Sequence, residues 1–136
     1  LGLMAGAVVL TLPTQDRVMI EDAEKFAAKI AALRDNAILQ SRPMAVQVTA
    51  SGYSFAERRQ GSWQVMRDRP FLAENWSQGV TFANRDDAPM LISFESTGLP
   101  SEAVRLSLAY ENKSQAVTLD QLGNVTLGSN IEAGLK

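Results

Sequence analysis

The stretch EDAEKFAAKIAALRDNAILQSRPMAVQV, residues 21–48, decides the fold. Through its first part, apolar residues recur at intervals of three and four, which places them on one face of an α-helix. After Pro43 the interval becomes two, which is the repeat of a strand with one buried face. Pro43 also disfavours helical geometry at Arg42, so the helix is predicted to end near Ser41. The stretch therefore predicts a long amphipathic helix that leads directly into a β-strand.

The predicted helix, residues 13–41, carries its apolar and charged residues on opposite faces. Glu21 and Lys25 lie on the charged face, in the i, i+4 order that stabilises a helix by about 0.2–0.5 kcal/mol. We expect the other face to pack on a sheet through Ala23, Phe26, Ala27, Ile30, Leu33, Ala37 and Ile38.

Beyond Pro43 the sequence pattern predicts strands. Short runs with an apolar residue at every second position alternate with turn sequences that contain Gly, Asn, Asp or Pro. The predicted strands are a hairpin over 44–58 and the segments 62–66, 80–84, 90–95, 103–111, 115–120 and 124–128. A loop over 67–79 is expected to cover Phe71, Leu72 and Trp76. The chain is thus predicted to be an α+β protein, in which the helix packs on an antiparallel β domain over 42–136. Residues 13–136 would form one globular unit.

The first twelve residues, LGLMAGAVVLTL, carry no charge. As a helix these twelve residues would span about 18 Å. They are too few to cross a bilayer, which takes about 20 apolar residues. No basic residue precedes them in the sequence, which disfavours a signal peptide. On these residues alone two interpretations stay open, a buried strand or core helix and the C-terminal part of a membrane helix. The amphipathic helix that follows favours the second, so residues 1–12 are interpreted as the remnant of a membrane or filament-core helix.

The amino-acid composition lacks two of the residue types that most often act in catalysis. The 136 residues include no Cys and no His, which excludes disulfides, thiol nucleophiles, imidazole bases and thiolate metal sites. Asp86 and Asp87 are adjacent in a turn sequence, so their carboxylates are expected to point apart rather than share a metal ion. The net charge of −2 gives no electrostatic reason to expect nucleic acid as the main partner. We therefore expect no enzyme activity, no cofactor and no small-molecule substrate.

One basic group has a second interpretation. It contains Trp63 between the arginines Arg58, Arg59, Arg67 and Arg69. Arginines interleaved with an aromatic side chain can hold single-stranded nucleic acid. However, acidic residues interrupt the group and Trp63 is in phase with the predicted core positions. We therefore favour a solvated edge over a nucleic-acid site.

The order of several elements carries a family resemblance. The helix sequence is followed by SGYSF at 51–55, Trp63, LISFESTGLP at 91–100, VRLSL at 104–108 and VTLDQLGNVTL at 117–127. In this order they resemble the H-type minor pseudopilins (GspH) of the type II secretion system, a group that also holds FimT-like minor pilins of type IV pili. The leader peptide and helix glutamate typical of that group are not among residues 1–136. Thr97 stands where the family often has proline or an acidic residue before the turn glycine.

The resemblance implies a pilin-like fold, with a long N-terminal helix and two antiparallel sheets. It implies insertion in the inner membrane with a periplasmic domain, followed by assembly into the pseudopilus that helps to export folded proteins. The implied partners are the minor tip subunits of I, J and K type and the major G-type subunit, and no nucleic acid is expected. The residues expected in the membrane and then in the helix-to-helix contacts of the filament are Leu1, Leu3, Met4, Val8, Val9, Leu10 and Leu12.

A FimT-like minor pilin that binds DNA during uptake is the alternative. A basic cluster near the C-terminus would favour it, but beyond Arg105 the sequence contains only Lys113 and Lys136 as basic residues. The sequence therefore favours the secretion subunit over the DNA-binding pilin.

Overall fold

The computed structural model describes residues 15–83 and 88–129. Over these ranges the chain forms one α-helix, α1 (Gln15–Gln40), followed by nine strands. The strands are β1 (Met44–Val48), β2 (Gly52–Arg59), β3 (Ser62–Val65), β4 (Glu74–Asn75), β5 (Val80–Ala83), β6 (Met90–Phe94), β7 (Val104–Tyr110), β8 (Lys113–Leu119) and β9 (Val125–Ser129). The predicted order of one long helix and then antiparallel strands is confirmed.

The C-terminal end of α1 is a Schellman motif in which serine takes the place of the usual glycine. Ser41 has a left-handed backbone, with a φ of 51°. Its N–H donates to the carbonyl of Ile38 at 3.1 Å. The N–H of Arg42 donates to the carbonyl of Ala37 at 3.0 Å. These bonds satisfy two carbonyls that the last helical turn would otherwise leave unpaired, and Pro43 then prevents the helix from continuing.

The strands form two antiparallel sheets. Sheet A has the order β3-β2-β1-β6, and the short strand β4 also pairs with β2. Sheet B has the order β5-β7-β8-β9. Strands of both sheets contact α1. The helix therefore joins the two sheets and covers the apolar side of each.

An aromatic cluster fills the core between α1 and sheet A. Phe26 is fully buried, and its ring centroid lies 4.9 Å from that of Tyr53 and 5.5 Å from that of Trp76, in edge-to-face geometry. Such aromatic pairs contribute about 0.5–1.5 kcal/mol beyond the burial of their area. The indole N–H of Trp76 donates to the carbonyl of Thr49 at 3.0 Å, so this polar atom is paired despite its burial. The cluster fixes the N-terminal half of α1 on the sheet.

The segment 67–79, predicted as a loop, contains the short strand β4, which pairs with Gly52 and Tyr53 of β2. Phe71 and Trp76 are buried beneath the segment, as expected, whereas Leu72 is 37% exposed. The strand could not be predicted because its two residues, Glu74 and Asn75, have neither an apolar repeat nor β propensity. The close approach of the chain to Gly52, where no side chain intervenes, makes this pairing possible.

The position of Trp63 in sheet A corrects the prediction that it is in phase with the core. The two-residue turn at Gln60 and Gly61 has positive φ at both positions and pairs Arg58 with Trp63 in the ladder of β2 and β3. Residues opposite each other share a face, so Trp63 lies with Arg58 on the outer face and is 40% exposed. Val65 lies on the same outer face, 59% exposed.

Candidate interaction surface

The residues predicted for the membrane or filament-core helix fall outside the described part of the chain. They are Leu1, Leu3, Met4, Val8, Val9, Leu10 and Leu12. Within residues 15–83 and 88–129, no helix combines the length and the apolar character needed to cross a membrane.

The seven residues predicted to pack the helix on a sheet lie along one side of α1. Ala23, Phe26, Ile30, Leu33 and Ala37 have almost no accessible surface, and Ala27 is partly buried against them. Met19, one turn before the predicted group, is buried as well. Ile38 differs from the expectation, since its side chain is 47% exposed.

Ile38 is exposed because it lies at the edge of the packed face, over a turn instead of a strand. A Cβ atom added to Gly98 of that turn would lie 2.6 Å from Cδ1 of Ile38. Gly98 also has a φ of 89°, a left-handed conformation that side-chain-bearing residues rarely adopt. The turn glycine therefore allows the isoleucine to lie across the main chain of the turn.

Polar side chains link α1 to loops near its N-terminal half. The carboxylate of Asp22 accepts the N–H of Ser77 at 2.7 Å and the hydroxyl of Ser77 at 2.8 Å. Lys25 pairs with Glu74 at 3.1 Å, so it does not form the predicted intrahelical pair with Glu21. Glu21 instead lies 3.6 Å from Arg17. The Asp22–Ser77 and Lys25–Glu74 contacts join partners 55 and 49 residues apart in the sequence, which is why no local pattern predicts them.

Arg34 links the C-terminal half of α1 to sheet B. Its Nη1 donates to the carbonyl of Gly123 at 2.7 Å, in the turn between β8 and β9. A Cβ atom on Gly123 would lie 3.1 Å from Cδ of Arg34 and 3.1 Å from the carbonyl oxygen of Gly98. The two glycine turns and the arginine therefore form one tightly packed contact. No feature of the sequence identified Arg34 as a contact between elements.

Four exposed apolar side chains lie on the end of α1 or on the two glycine turns. Leu39 is 81% exposed at the end of α1, and Leu122 is 73% exposed in the turn before Gly123. Leu99, which follows Gly98, is 45% exposed. Together with Ile38 these leucines form what we call the helix-end surface. Large exposed apolar side chains are candidates for contact with a partner protein where they form a continuous patch.

The structure divides the predicted basic group between the two faces of sheet A, with Arg58 and Trp63 on the outer face and Arg67 and Arg69 on the face towards α1. The guanidinium of Arg58 lies 5.6 Å from the ring centroid of Trp63, within the range of a cation–π contact. Arg59 and Arg42 approach the Glu57 carboxylate at 2.8 Å and 3.5 Å. A cleft of about 430 Å³ lies beside Glu57 and Arg59, and Arg67 and Arg69 also line it.

The shifted pKa values found among the described residues have structural causes. Burial raises the pKa of the Tyr53 phenol, and the nearby carboxylates of Glu74 and Asp22 raise it further. This phenol therefore stays neutral and cannot act as a base near neutral pH. The main-chain N–H of Asn124 is the leading cause of the lowered pKa of Asp120, which sits in an exposed turn.

A metal centre has no support in the described residues. Over 15–83 and 88–129, no three side chains of Asp, Glu, His or Cys type lie close enough together to hold a metal ion. Asp86 and Asp87, whose carboxylates were not expected to share a metal ion, fall outside these ranges.

Two comparisons with solved structures show the same fold in proteins of low sequence identity. The minor pseudopilin EpsH of the Vibrio cholerae type II secretion system superposes with a TM-score of 0.66 at 17% identity. The match covers 85% of this chain and 97% of EpsH. The type IV minor pilin FimU of Pseudomonas aeruginosa superposes with a TM-score of 0.65 at 16% identity, covering 85% of this chain and 92% of FimU. The fold is therefore pilin-like.

The family assignment rests on the sequence. No curated protein sequence gives a significant match to the chain. The family model described as "Type II transport protein GspH" matches residues 22–123, from the first polar link of α1 to the turn that Arg34 contacts. This range covers most of α1 and both sheets up to β9. The chain therefore belongs to the GspH family of type II transport proteins, whose pilin-like members have a structural rather than an enzymatic role.

Proposed function

We propose that this protein is a non-enzymatic minor pseudopilin, a structural subunit near the tip of the periplasmic type II pseudopilus. In that position it helps to drive the export of folded proteins. The match to the GspH family over residues 22–123 is the observation that carries this proposal. The fold shared with EpsH supports it, since EpsH is itself a minor pseudopilin of a type II secretion system.

The uncharged residues 1–12 supply the anchoring part of the proposal. We place them in the inner membrane before assembly and in the helical core of the filament after it, with Leu1, Leu3, Met4, Val8, Val9, Leu10 and Leu12 in the contacts. Moving an apolar segment from lipid to a packed helical core exchanges one dry environment for another. The segment can therefore leave the membrane without exposing its apolar surface to water.

The globular part supplies the contacts between subunits. The helix-end surface carries four exposed apolar side chains on α1 and the two turns packed against it. In the proposal it contacts a neighbour among the I-, J- and K-type tip subunits or the G-type major subunit. Because Arg34 and the two glycine turns hold this region together, it can meet a partner with little loss of conformational entropy.

Single-cysteine crosslinking tests the proposal directly, because the chain has no cysteine of its own. In cells with an active type II system, Leu39→Cys and Leu122→Cys are expected to crosslink to other pseudopilins. Asn112→Cys is the control, since it lies in the turn between β7 and β8, at the far end of β8 from Leu122. Deletion of the gene is expected to stop export. Export that continues at the normal rate would contradict the proposal.

The DNA-binding minor pilin is a second candidate because FimU, a type IV minor pilin, shares the fold and because Arg59, Arg67 and Arg69 line one cleft. Salt-dependent binding of DNA in a gel shift, together with loss of DNA uptake and normal export in the deletion strain, would favour this role.

A further inference from the structure

Strand β3 presents an open edge of sheet A. It pairs with β2 on one side, and all four of its residues are exposed. The N–H of Met66 donates to the carbonyl of Phe55 at 2.9 Å, which fixes the hydrogen-bonding phase of the pair. Since bonded positions alternate along an antiparallel ladder, the N–H and C=O groups of Trp63 and Val65 point away from β2. No residue within 15–83 or 88–129 pairs with these groups. An exposed edge of this kind is a template for a further strand.

The two faces beside this edge differ in chemistry. On the face towards α1 lies the cleft of about 430 Å³, which Arg67 and Arg69 line together with Asp68. Glu57, which also lines the cleft, is already paired with Arg59 at 2.8 Å and Arg42 at 3.5 Å. The cleft therefore keeps an excess of positive charge.

The outer face carries several exposed apolar side chains, together with Arg58 over the Trp63 ring and the polar Gln47 and Ser54 in the lining of a depression. Trp63 is 40% exposed, Val65 59% and Leu91 58%, and they surround the depression, of about 250 Å³, with Ala45 and Ala56. A strand added at the β3 edge would direct alternate side chains to this depression and to the basic cleft.

We propose that the β3 edge docks an extended segment of a partner protein in which acidic residues alternate with apolar ones. The main chain of the segment pairs with Trp63 and Val65. Its carboxylates face Arg67 and Arg69, and its apolar side chains cover the outer depression. Main-chain bonds supply affinity in strand addition, and the alternate side chains supply specificity. The inference does not depend on a role in the pseudopilus.

Single-stranded nucleic acid fits the same region less well. Binding of that kind uses aromatic faces on which bases stack. Arg58 lies over the ring of Trp63, at 5.6 Å from its centroid, and so occupies one face.

The test is an NMR titration of the 136-residue chain labelled with ¹⁵N. The probes are a capped peptide of sequence SEVEVES, the matched peptide SKVKVKS and oligo(dT). SEVEVES is expected to shift the amide signals of Trp63 and Val65, to slow their hydrogen exchange and to bind more weakly as salt is raised. SKVKVKS is expected to bind at least tenfold more weakly. Tighter binding of oligo(dT) than of SEVEVES, or no shift with SEVEVES, would overturn the proposal.

Two pairs of variants separate main-chain pairing from charge. Val65→Pro removes an N–H that points away from β2, so the ladder with β2 is retained, and Val65→Thr is its control. Val65→Pro is expected to lose strand addition at least tenfold relative to Val65→Thr. The charge reversal Arg67→Glu with Arg69→Glu is expected to weaken SEVEVES binding at least tenfold, and Arg17→Glu with Lys113→Glu less than twofold. Circular dichroism first identifies the variants that remain folded. Among these, equal binding by the two Val65 variants would overturn main-chain pairing, and equal binding by the two charge-reversal variants would overturn the role of Arg67 and Arg69.

Discussion

Ser77 donates both its main-chain N–H and its hydroxyl to the carboxylate of Asp22, at 2.7 Å and 2.8 Å. One residue of α1 thereby fixes the segment that follows β4, next to the buried ring of Trp76. Lys25 and Glu74 pair one turn further along the helix. The N-terminal half of α1 is thus joined to this segment by directional bonds as well as by apolar packing.

Replacing Asp22 is the most direct test of that link. Asp22→Ala leaves the Ser77 N–H without its acceptor and should lower the free energy of unfolding by about 1–3 kcal/mol. Urea denaturation followed by circular dichroism measures the change. The matched control is Glu24→Ala, which removes an exposed carboxylate of the same helix and should shift stability by less than about 0.5 kcal/mol. Equal effects of the two variants would show that the Ser77 contact adds nothing.

The left-handed residue at the end of α1 offers a stabilising substitution. Ser41→Gly should raise the free energy of unfolding by about 1 kcal/mol, because glycine adopts this conformation without the steric cost that serine bears. Ser41→Ala keeps the cost and loses the hydroxyl, so it should not stabilise the protein. A higher melting temperature for glycine than for serine or alanine is the expected order in differential scanning calorimetry.

Phe26 should be the most costly residue of the helix face to truncate. Phe26→Ala removes a fully buried ring that contacts Tyr53 and Trp76, and should destabilise the protein by about 3–5 kcal/mol. Leu39→Ala serves as the comparison, since Leu39 lies on the same helix but is 81% exposed. Its effect on unfolding in urea should stay within about 0.5 kcal/mol. Similar losses for both variants would contradict the packing described here.

Asp120 should make part of the stability dependent on pH. Its carboxylate accepts the N–H groups of Leu122 at 2.8 Å and Asn124 at 3.0 Å, and its pKa is lowered in the folded protein. A lowered folded-state pKa means that the stabilisation is present above the unfolded pKa and is lost as the pH falls through the folded pKa.

The comparison of Asp120→Asn with the parent chain isolates this contribution, because asparagine keeps an acceptor oxygen but cannot ionise. Melting temperatures recorded from neutral pH down into the acid range should show the parent losing more stability than the variant. Parallel curves for the two proteins would exclude the turn carboxylate as a source of acid sensitivity.

The helix could be predicted closely because its determinants are local. The 3.6-residue repeat, the change of period and Pro43 all act within a few residues of the positions they define, and the observed end at Gln40 follows from them. The strands were predictable for the same reason, since alternation and turn residues mark them. The buried side of α1 was predictable except at its two ends, where Met19 is buried outside the predicted group and Ile38 lies over a turn.

The face of Trp63 was not predictable in the same way. Alternation along β3 shows which residues share a face, but not which face points inwards, because the register depends on the turn at Gln60 and Gly61. The links from Asp22 to Ser77 and from Arg34 to Gly123 were hidden for a different reason. Their partners are brought together by the fold over separations of 55 and 89 residues, and neither leaves a repeat in the sequence.

The spacing of the polar links along α1 has a mechanical consequence. Asp22 and Lys25 attach to the segment that contains β4, and Arg34 attaches further along the helix to the turn between β8 and β9. A force applied along the helix axis is shared by these attachments and the apolar face. All of them therefore oppose movement of the helix past the sheets at the same time, instead of breaking one after another. The helix can therefore transmit an axial force to the β domain as a single rigid unit.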